Sequence, residues 1–374
     1  PVLYQGDGMG VLKGWALPPS FMQVVGDRVY AEKARNIPIA AQKGITDEIN
    51  RLVKEEIIEP SSSPWSHAMM AVRKKDGKFR VVLDCRALNG MCVMIRWPLR
   101  SIQELLAQCA GKDWITVSDL TSGYWQISLP IALRPLTAFS VWNLGRFQYR
   151  RMPQGYLNSG SGLAYCVQAV LGDMTTSCCQ HAPPFPEEYG VTESDIHGHR
   201  CLVTMYADDL TIASSGRLEL HRRDVQCVLA RARTFAMGLS AKKTIMAAKR
   251  VTILGYDCTS SGIMMSRDKV DTLLNSEEPT TRSRLHSYNG LCSFYRKFCP
   301  QLAEHARCFT DFLKKGAPER IDPLLWEESG ARHAFKAIRH MMAKFTVLAA
   351  PDLGPSALPG GIIPDASQWA LGAC

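Results

Sequence analysis

The sequence predicts an α+β fold, and three observations predict it. Pairs of short, β-branched runs stand on either side of tight turns, the pattern of antiparallel hairpins. Elsewhere apolar residues recur at helical spacing over stretches closed by proline or glycine. The chain has 374 residues, 46% apolar and 21% charged, which is long and apolar enough for two or more domains around sizeable cores. Such a composition excludes a disordered, fibrous or repetitive chain.

Residues 1–44 mix glycine, proline and aromatic residues without a sustained period and are expected to form an extended arm. A helix is expected from Thr46, because Ile45, Ile49, Leu52, Val53 and Ile57 share a face, Asp47 and Glu48 suit its first turn, and Pro60 stops it. Ser61-Ser62-Ser63-Pro64-Trp65 makes a turn. Ala68 to Val72 and Phe79 to Asp84 then read as strands joined by Lys74-Lys75-Asp76-Gly77-Lys78, whose Asp-Gly marks a hairpin. Arg73, Lys74, Lys75, Lys78 and Arg80 make this hairpin cationic, fit either to embrace a triphosphate or to face water as a charged surface.

Ser101 to Cys109 is a short helix, followed by an apolar strand, Ile115 to Leu120, that ends on Asp119. Thr137 to Trp142 and Arg146 to Arg150 form a second strand pair around Asn143-Leu144-Gly145, and an apolar helix runs from Ser161 to Leu171. Residues 175–200, with Pro183-Pro184-Phe185-Pro186, read as a loop or small insertion. Leu218 to Met237 is a basic amphipathic helix and Val251 to Tyr256 a strand. Two helical stripes follow, Leu285, Tyr288, Leu291, Cys292, Tyr295 and Phe298 before Pro300, then Leu302, Ala306, Phe309 and Leu313 before Lys314-Lys315-Gly316. Together they predict a helical bundle.

The chemistry concentrates at Tyr206-Ala207-Asp208-Asp209, the tip of a hairpin running from Cys201 to Ala213. An aspartate pair in a turn is ordinarily a solvated turn, because short acidic side chains tolerate turn backbone. Here the strand ending at Asp119 supplies a third carboxylate, and converging carboxylates repel unless a hard divalent cation sits among them. A magnesium pair at that place suits activation of a 3′-hydroxyl and stabilisation of a leaving pyrophosphate, hence phosphoryl transfer onto nucleic acid. The formal charge of +9 and a pI near 8.9 favour a polyanionic partner. No apolar run approaches the ~18 residues of a spanning helix, so no membrane association is expected. The start lacks a basic-then-apolar signal. It is also Pro1 rather than methionine, so the chain is expected to be a piece of something longer. Thirteen scattered cysteines suit a reducing compartment, and Cys178, Cys179, His181, His197, His199 and Cys201 form a cluster that could hold zinc or be ordinary loop and strand residues.

From Ile37 to Asp365 the order of motifs resembles the reverse transcriptases of retroviruses and long-terminal-repeat retrotransposons, especially the gypsy-like group. Ile57-Ile58-Glu59-Pro60-Ser61-Ser62-Ser63-Pro64-Trp65, Val72-Arg73-Lys74-Lys75-Asp76-Gly77 and Arg80 to Asn89 resemble the family's fingers. Asp119-Leu120-Thr121-Ser122-Gly123-Tyr124-Trp125-Gln126-Ile127 resembles its first catalytic motif, with Trp125 where gypsy-like members usually have histidine. Tyr206-Ala207-Asp208-Asp209 resembles the Tyr-x-Asp-Asp box, Gly238-Leu239 with Lys242-Lys243 the later palm motifs, Leu254-Gly255-Tyr256 the primer grip, and Leu285 to Phe298 the thumb. Gly160 stands where proline is usual, so a looser backbone is expected there.

The resemblance implies a right-hand polymerase, with an N-terminal arm (1–44), fingers (45–97 and 128–158), palm (98–127 and 159–263), thumb (264–318), part of a connection domain (319–358) and a truncated ribonuclease H start (359–374). It implies that Asp119, Asp208 and Asp209 hold two Mg2+ ions, with Mn2+ as the alternative. Lys74 and Arg80 would bind the triphosphate, Gln154 would line the nucleotide pocket, Tyr124 would pack under the sugar, and Lys243, or else Lys242, would be the acid for pyrophosphate. The implied partners are an RNA or DNA template-primer, deoxynucleoside triphosphates, and a second copy or other Pol products in a homo- or heterodimer. The implied location is the cytoplasm, a virus-like particle or the nucleus. The alternative reading is an inert retroelement remnant or structural subunit that binds nucleic acid. A ribonuclease H activity is implied for the parent polyprotein but not for this chain: Asp365 is one carboxylate, and Pro359-Gly360-Gly361 and Pro364 interrupt its strand, so this tail is expected to be disordered or loosely packed.

Overall fold

A computed structural model describes residues 17–73, 77–98, 101–175, 199, 201–299, 301–343, 364–366 and 371–373. These form two compact units, residues 1–105 with 112–251 and residues 106–111 with 252–374.

In the first unit helix α1, Ile39–Lys54, is followed by strands β1 (Ile58–Pro60), β2 (Met69–Arg73) and β3 (Phe79–Leu83). The helix starts seven residues before the expected Thr46, so Asp47 and Glu48 lie mid-helix rather than in its first turn. The helix runs through Gly44, where the missing side chain makes room for β3: a Cβ there would lie 2.6 Å from Phe79 Cδ2. Ile45, Ile49 and Leu52 are buried as expected, whereas Val53 faces water and Glu48 is held by Arg51 at 2.8 Å. Pro60 does not end the helix; it pairs with Phe147 in β1.

The expected hairpin forms with Val72 opposite Arg80, and residues 74–76 between its strands lie outside the described residues. Helix α2 (Arg86–Met91) follows, then α3 (Ile102–Cys109), which is opened by reciprocal bonds between Ser101 and Glu104 and whose residues from 106 on are counted with the second unit. Strand β4 is Trp114–Asp119, and the second strand pair is β5 (Phe139–Val141) with β6 (Gly145–Tyr149) turning at Asn143, whose φ is 62°. Helix α4, Ser159–Leu171, includes Gly160, so the backbone expected to loosen there is helical. Asn158 anchors it, donating to the Phe21 and Val93 carbonyls and accepting from Ile95 N–H.

Strands β7 (Cys201–Tyr206) and β8 (Asp209–Ser214), helix α5 (Leu218–Thr234) and strand β9 (Ile245–Ala248) complete this unit. Its main sheet has the order β7-β8-β4-β9, antiparallel throughout, with α4 and α5 packed on it. The expected extended arm is partly core: Leu17, Phe21 and Met22 are buried in the same apolar cluster as Ile49, Leu163 and Val203. Of the cysteine and histidine cluster, Cys178, Cys179, His181 and His197 lie outside the described residues. His199 is committed to structure, with Nε2 2.7 Å from Asp224 Oδ2 and Nδ1 2.9 Å from the Ser215 carbonyl.

The second unit opens on a sheet of β10 (Arg250–Ile253), β11 (Tyr256–Thr259) and β12 (Gly262–Met265). The single strand expected over Val251 to Tyr256 is therefore two, because Leu254 (φ 51°) and Gly255 (φ 84°) reverse the chain. Helices α6 (Arg267–Leu274), α7 (Arg282–Phe294), α8 (Leu302–Ala306), α9 (Thr310–Leu313), α10 (Pro323–Glu328) and α11 (Ala331–Ala343) form the bundle. The helix expected over Leu302 to Leu313 is broken by a 3-10 turn at Arg307–Phe309, which points Phe309 onto Trp326 at 5.5 Å, nearly parallel. Tyr288 meets Phe335 at 4.6 Å in the same core. In the tail, Pro364–Ala366 (β13) pairs with Leu371–Ala373 (β14), a strand pair where none was expected. Pro364 is tolerated because the first residue of a strand can lack a donor. Among the described residues no helix is long and apolar enough to cross a membrane.

Candidate active site

Strand register brings the acidic residues together. Asp119, the last residue of β4, lies directly opposite Asp209, the first of β8, which also pairs with Tyr206 of β7. Residues opposite one another on antiparallel strands project to the same face with Cβ atoms ~5 Å apart, so these two carboxylates share one end of the sheet. Asp208 occupies the two-residue turn between β7 and β8. Ala207 supplies that turn's left-handed φ of 51°, and the Asp208 carbonyl accepts the Leu120 N–H at 2.9 Å, tying turn to strand.

Like charges held so close resist ionisation. Burial, then the charges of Asp119 and Asp209, raise the Asp208 carboxyl above the usual range; burial and Asp119 do the same to Asp209, and Lys243 opposes both shifts. Lys243 donates to Asp119 Oδ2 at 2.8 Å, while Lys242 is exposed and makes no ion pair among the described residues. Asp208 Oδ1 is buried with no hydrogen-bond partner among the described residues. Beneath it, a Cβ on Gly123 would lie 2.8 Å from that oxygen, so the carboxylate rests on a residue without a side chain. Sequence places Gly123 within the motif that follows Asp119 but gives it no role; the close approach to Asp208 is visible only in the structure.

Tyr124 follows in the 3-10 turn Gly123–Gln126. Its phenol is half-buried and raised above its ordinary value by burial and by Asp208. It borders a cavity of about 310 Å3, lined also by Trp97, Val167, Met205 and Ala207, behind the hairpin. Trp125, in the position expected of histidine, is buried with the Arg51 guanidinium 5.8 Å from its ring.

Asp119, Asp208, Asp209, Lys243 and Tyr124 are thus brought together. Arg80 is exposed on β3 and Gln154 is part-buried just after Met152, whose N–H bonds the Ile127 carbonyl; neither makes a contact with the carboxylates among the described residues. Lys74 lies outside the described residues. Leu254, Gly255 and Tyr256 belong to the second unit. There the Tyr295 hydroxyl donates to the Gly255 carbonyl at 2.7 Å, and Tyr256 packs against Phe294 and Tyr295 with Lys297 Nζ 4.2 Å from its ring centre.

The arrangement can be compared with known proteins. The chain is 26% identical over 358 residues to a retrovirus-related Pol polyprotein from transposon opus of Drosophila melanogaster, covering 93% of this chain and 33% of the relative. It is 29% identical over 343 residues to the Pol polyprotein from transposon gypsy of the same organism, covering 88% of this chain and 30% of the relative. The chain therefore spans about a third of the length of these relatives. Among solved structures, a foamy viral protease-reverse transcriptase in complex with dsDNA matches with a TM-score of 0.77 at 22% identity, over 94% of this chain and 67% of that one. The same protein in complex with an RNA/DNA hybrid matches with a TM-score of 0.73 at 21% identity, over 92% and 42%. Those likenesses establish the fold, a mixed helix and sheet polymerase architecture. Residues 72–258, half of the chain, contain the paired carboxylate strands and match the family described as reverse transcriptase (RNA-dependent DNA polymerase), so this chain belongs to that family.

Proposed function

We propose that this chain extends a primer 3′-hydroxyl by RNA-directed DNA polymerisation, through two-metal phosphoryl transfer. One observation carries the reading: Asp119 faces Asp209 in register, with Asp208 in the adjoining turn. Three hard oxygen donors converge, and the Asp208 oxygen without a partner is one that a cation would satisfy. Among the described residues no group of three or more His, Cys, Asp or Glu side chains stands ready to hold a metal ion, so the carboxylates would have to draw together around one. The Lys243 ammonium on Asp119 is a local counter-charge. The donor set fits Mg2+ or Mn2+, and two such ions, when bound, would lower the pKa of the primer hydroxyl and neutralise charge at the α-phosphate.

The remaining roles are those of this chain's own side chains. Lys243, which bonds Asp119 at 2.8 Å, would turn to the leaving pyrophosphate and give it a proton. Arg80, with Lys74, is suited to the triphosphate of a deoxynucleotide, the guanidinium by bidentate contacts. Tyr124 lies beside Asp208, where it would pack under the sugar, and Gln154 would line the base side of the pocket. The hairpin tip Leu254-Gly255, with Tyr256, would hold the primer. A template-primer partner is supported by the duplexes that the foamy viral relatives carry in their structures.

Purified protein, an RNA template with an annealed DNA primer, deoxynucleotides and Mg2+ make the test. The wild type is expected to extend the primer. Asp208→Asn should lower extension by about a thousandfold, the scale of losing transition-state charge stabilisation. It should leave primer-template binding largely intact. A wild type that binds the duplex but extends nothing with either Mg2+ or Mn2+ would establish the inert remnant instead.

A further inference from the structure

We propose that Gln126 is a positioning residue that sets Lys243 against the reacting groups by clamping the segment 238–244 to the first carboxylate strand. This inference rests on the polymerase reading above and assigns one more residue to it.

Gln126 is almost fully buried, at 1% exposure, and its amide is spent on a single purpose. Nε2 donates to the Thr121 carbonyl at 2.8 Å and to the Gly238 carbonyl at 2.9 Å, while Oε1 accepts the Gly238 N–H at 2.8 Å. A primary amide has two donors and an acceptor oxygen, so this geometry uses both donors, and no aliphatic or carboxylate side chain can reproduce it. The clamp joins residues 112 apart in the chain.

From Gly238 the chain runs alongside the catalytic strand. Thr121 N–H bonds the Gly238 carbonyl at 3.1 Å, Leu120 bridges Leu239, and Ser240 N–H bonds the Asp119 carbonyl at 2.8 Å. The 3-10 turn Ala241–Lys243 follows directly, and the Ser118 and Thr244 hydroxyls meet at 2.8 Å on its far side. Lys243 is therefore fixed at both ends of its own turn, although its side chain is 67% exposed and is tied only at its tip, to Asp119. A long exposed lysine reaches one place reproducibly only if its Cα is placed by other contacts. Gln126 adds the side-chain part of the N-terminal anchor, bonding Gly238 and Thr121 and making no hydrogen bond to the carboxylates among the described residues.

A group that acts through Lys243 should change the rate and not the binding. Gln126→Met keeps the volume and removes all three bonds. It is expected to lower kcat by about tenfold to a hundredfold, the scale of an ångström-sized misplacement. KM for deoxynucleotide and Kd for primer-template should stay within about twofold. In a double-mutant cycle, Lys243→Ala should cost much less in the Gln126→Met background than in the wild type, since the residues act as a unit. A second readout needs no catalysis. In protein carrying 13C-dimethylated lysines, the Lys243 resonance, identified by its loss in Lys243→Arg, should move towards the position of free surface lysines in Gln126→Met.

Normal kcat with an unmoved resonance in a folded Gln126→Met protein overturns the proposal. So does a loss of kcat that simply adds to that of Lys243→Ala, because that pattern belongs to general destabilisation. If Gln126→Met moves the Lys243 resonance but neither wild type nor variant extends primers, the clamp stands and the polymerase reading fails.

Discussion

Gly123 shows how a residue without chemistry of its own can control one that has it. The nearest atom a β-carbon would strike, Asp208 Oδ1, is the end of a side chain and can move aside, while Leu120 Cβ and Cδ1 at 3.3 Å need give only a few tenths of an ångström, so Gly123→Ala should fold. The displaced carboxylate is then the cost. We expect extension to fall by about a hundredfold, as for other small misplacements of catalytic groups. The melting temperature should stay close to that of the wild type. A large fall in melting temperature at unchanged kcat would mean that the backbone moved instead of the carboxylate. Tyr124 is the companion case. Its ring lies near Asp208 and borders the cavity beside the hairpin. If it packs under the sugar as proposed, Tyr124→Val is expected to raise ribonucleotide incorporation relative to deoxynucleotide by about tenfold or more. Equal loss of both substrates would assign the ring to packing alone.

At the scale of elements, α5 is fastened to the sheet by polar groups as well as apolar ones. The Ser214 hydroxyl donates to Asp224 Oδ2 at 2.6 Å and accepts from His221 Nδ1 at 2.9 Å. His221 Nε2 in turn accepts from Thr116 Oγ1 at 2.8 Å, and Thr116 Oγ1 accepts the Ala247 N–H, so β4, β8, β9 and α5 share one buried network. Burial lowers the His221 pKa to about 4, against a rise from Asp224 and a further lowering from His199. A base whose folded pKa lies below its unfolded value of about 6.5 binds protons preferentially when unfolded. The contribution is therefore complete above about pH 6.5 and is lost as the pH falls towards about 4. Unfolding free energies by denaturant titration should accordingly fall more steeply across that window for wild type than for His221→Gln. Parallel curves would show that His221 does not titrate there.

For the whole molecule the relevant quantity is charge. With +9 formal charges and the cationic residues Arg73, Lys78 and Arg80 on the hairpin β2–β3 and its turn, affinity for a primer-template should come mainly from phosphate contacts. It should drop by about a thousandfold between about 50 and 200 mM salt if six or so phosphates are neutralised. Fluorescence anisotropy of a labelled duplex across that range provides the measurement, and a flat response would require a grip made chiefly of stacking and hydrogen bonds to bases.

The sequence by itself determined the parts whose signals are local. Alternating apolar runs on both sides of Ala207-Asp208, the Asp-Gly tip near residue 76 and the motif order from Asp119 to Lys243 were enough for the hairpins, the acidic residues and the family. Period and turn chemistry depend on neighbours a few residues apart, which is why these were legible. Only the tertiary structure decided the contacts that join distant residues. Helix α1 runs back through Gly44, where Phe79 of β3 occupies the space a Cβ would take, a contact between residues 35 apart that no local pattern announces. Lys243 reaches Asp119 across 124 residues, and Gly238 meets Gln126 across 112. The strand order β7-β8-β4-β9 places Asp119 opposite Asp209, whereas the pattern of β4 alone is the same whichever strand lies beside it. Such pairings are chosen by the packing of the whole core, where closing a long loop costs little more than closing a shorter one, and so they leave no periodic trace in the chain.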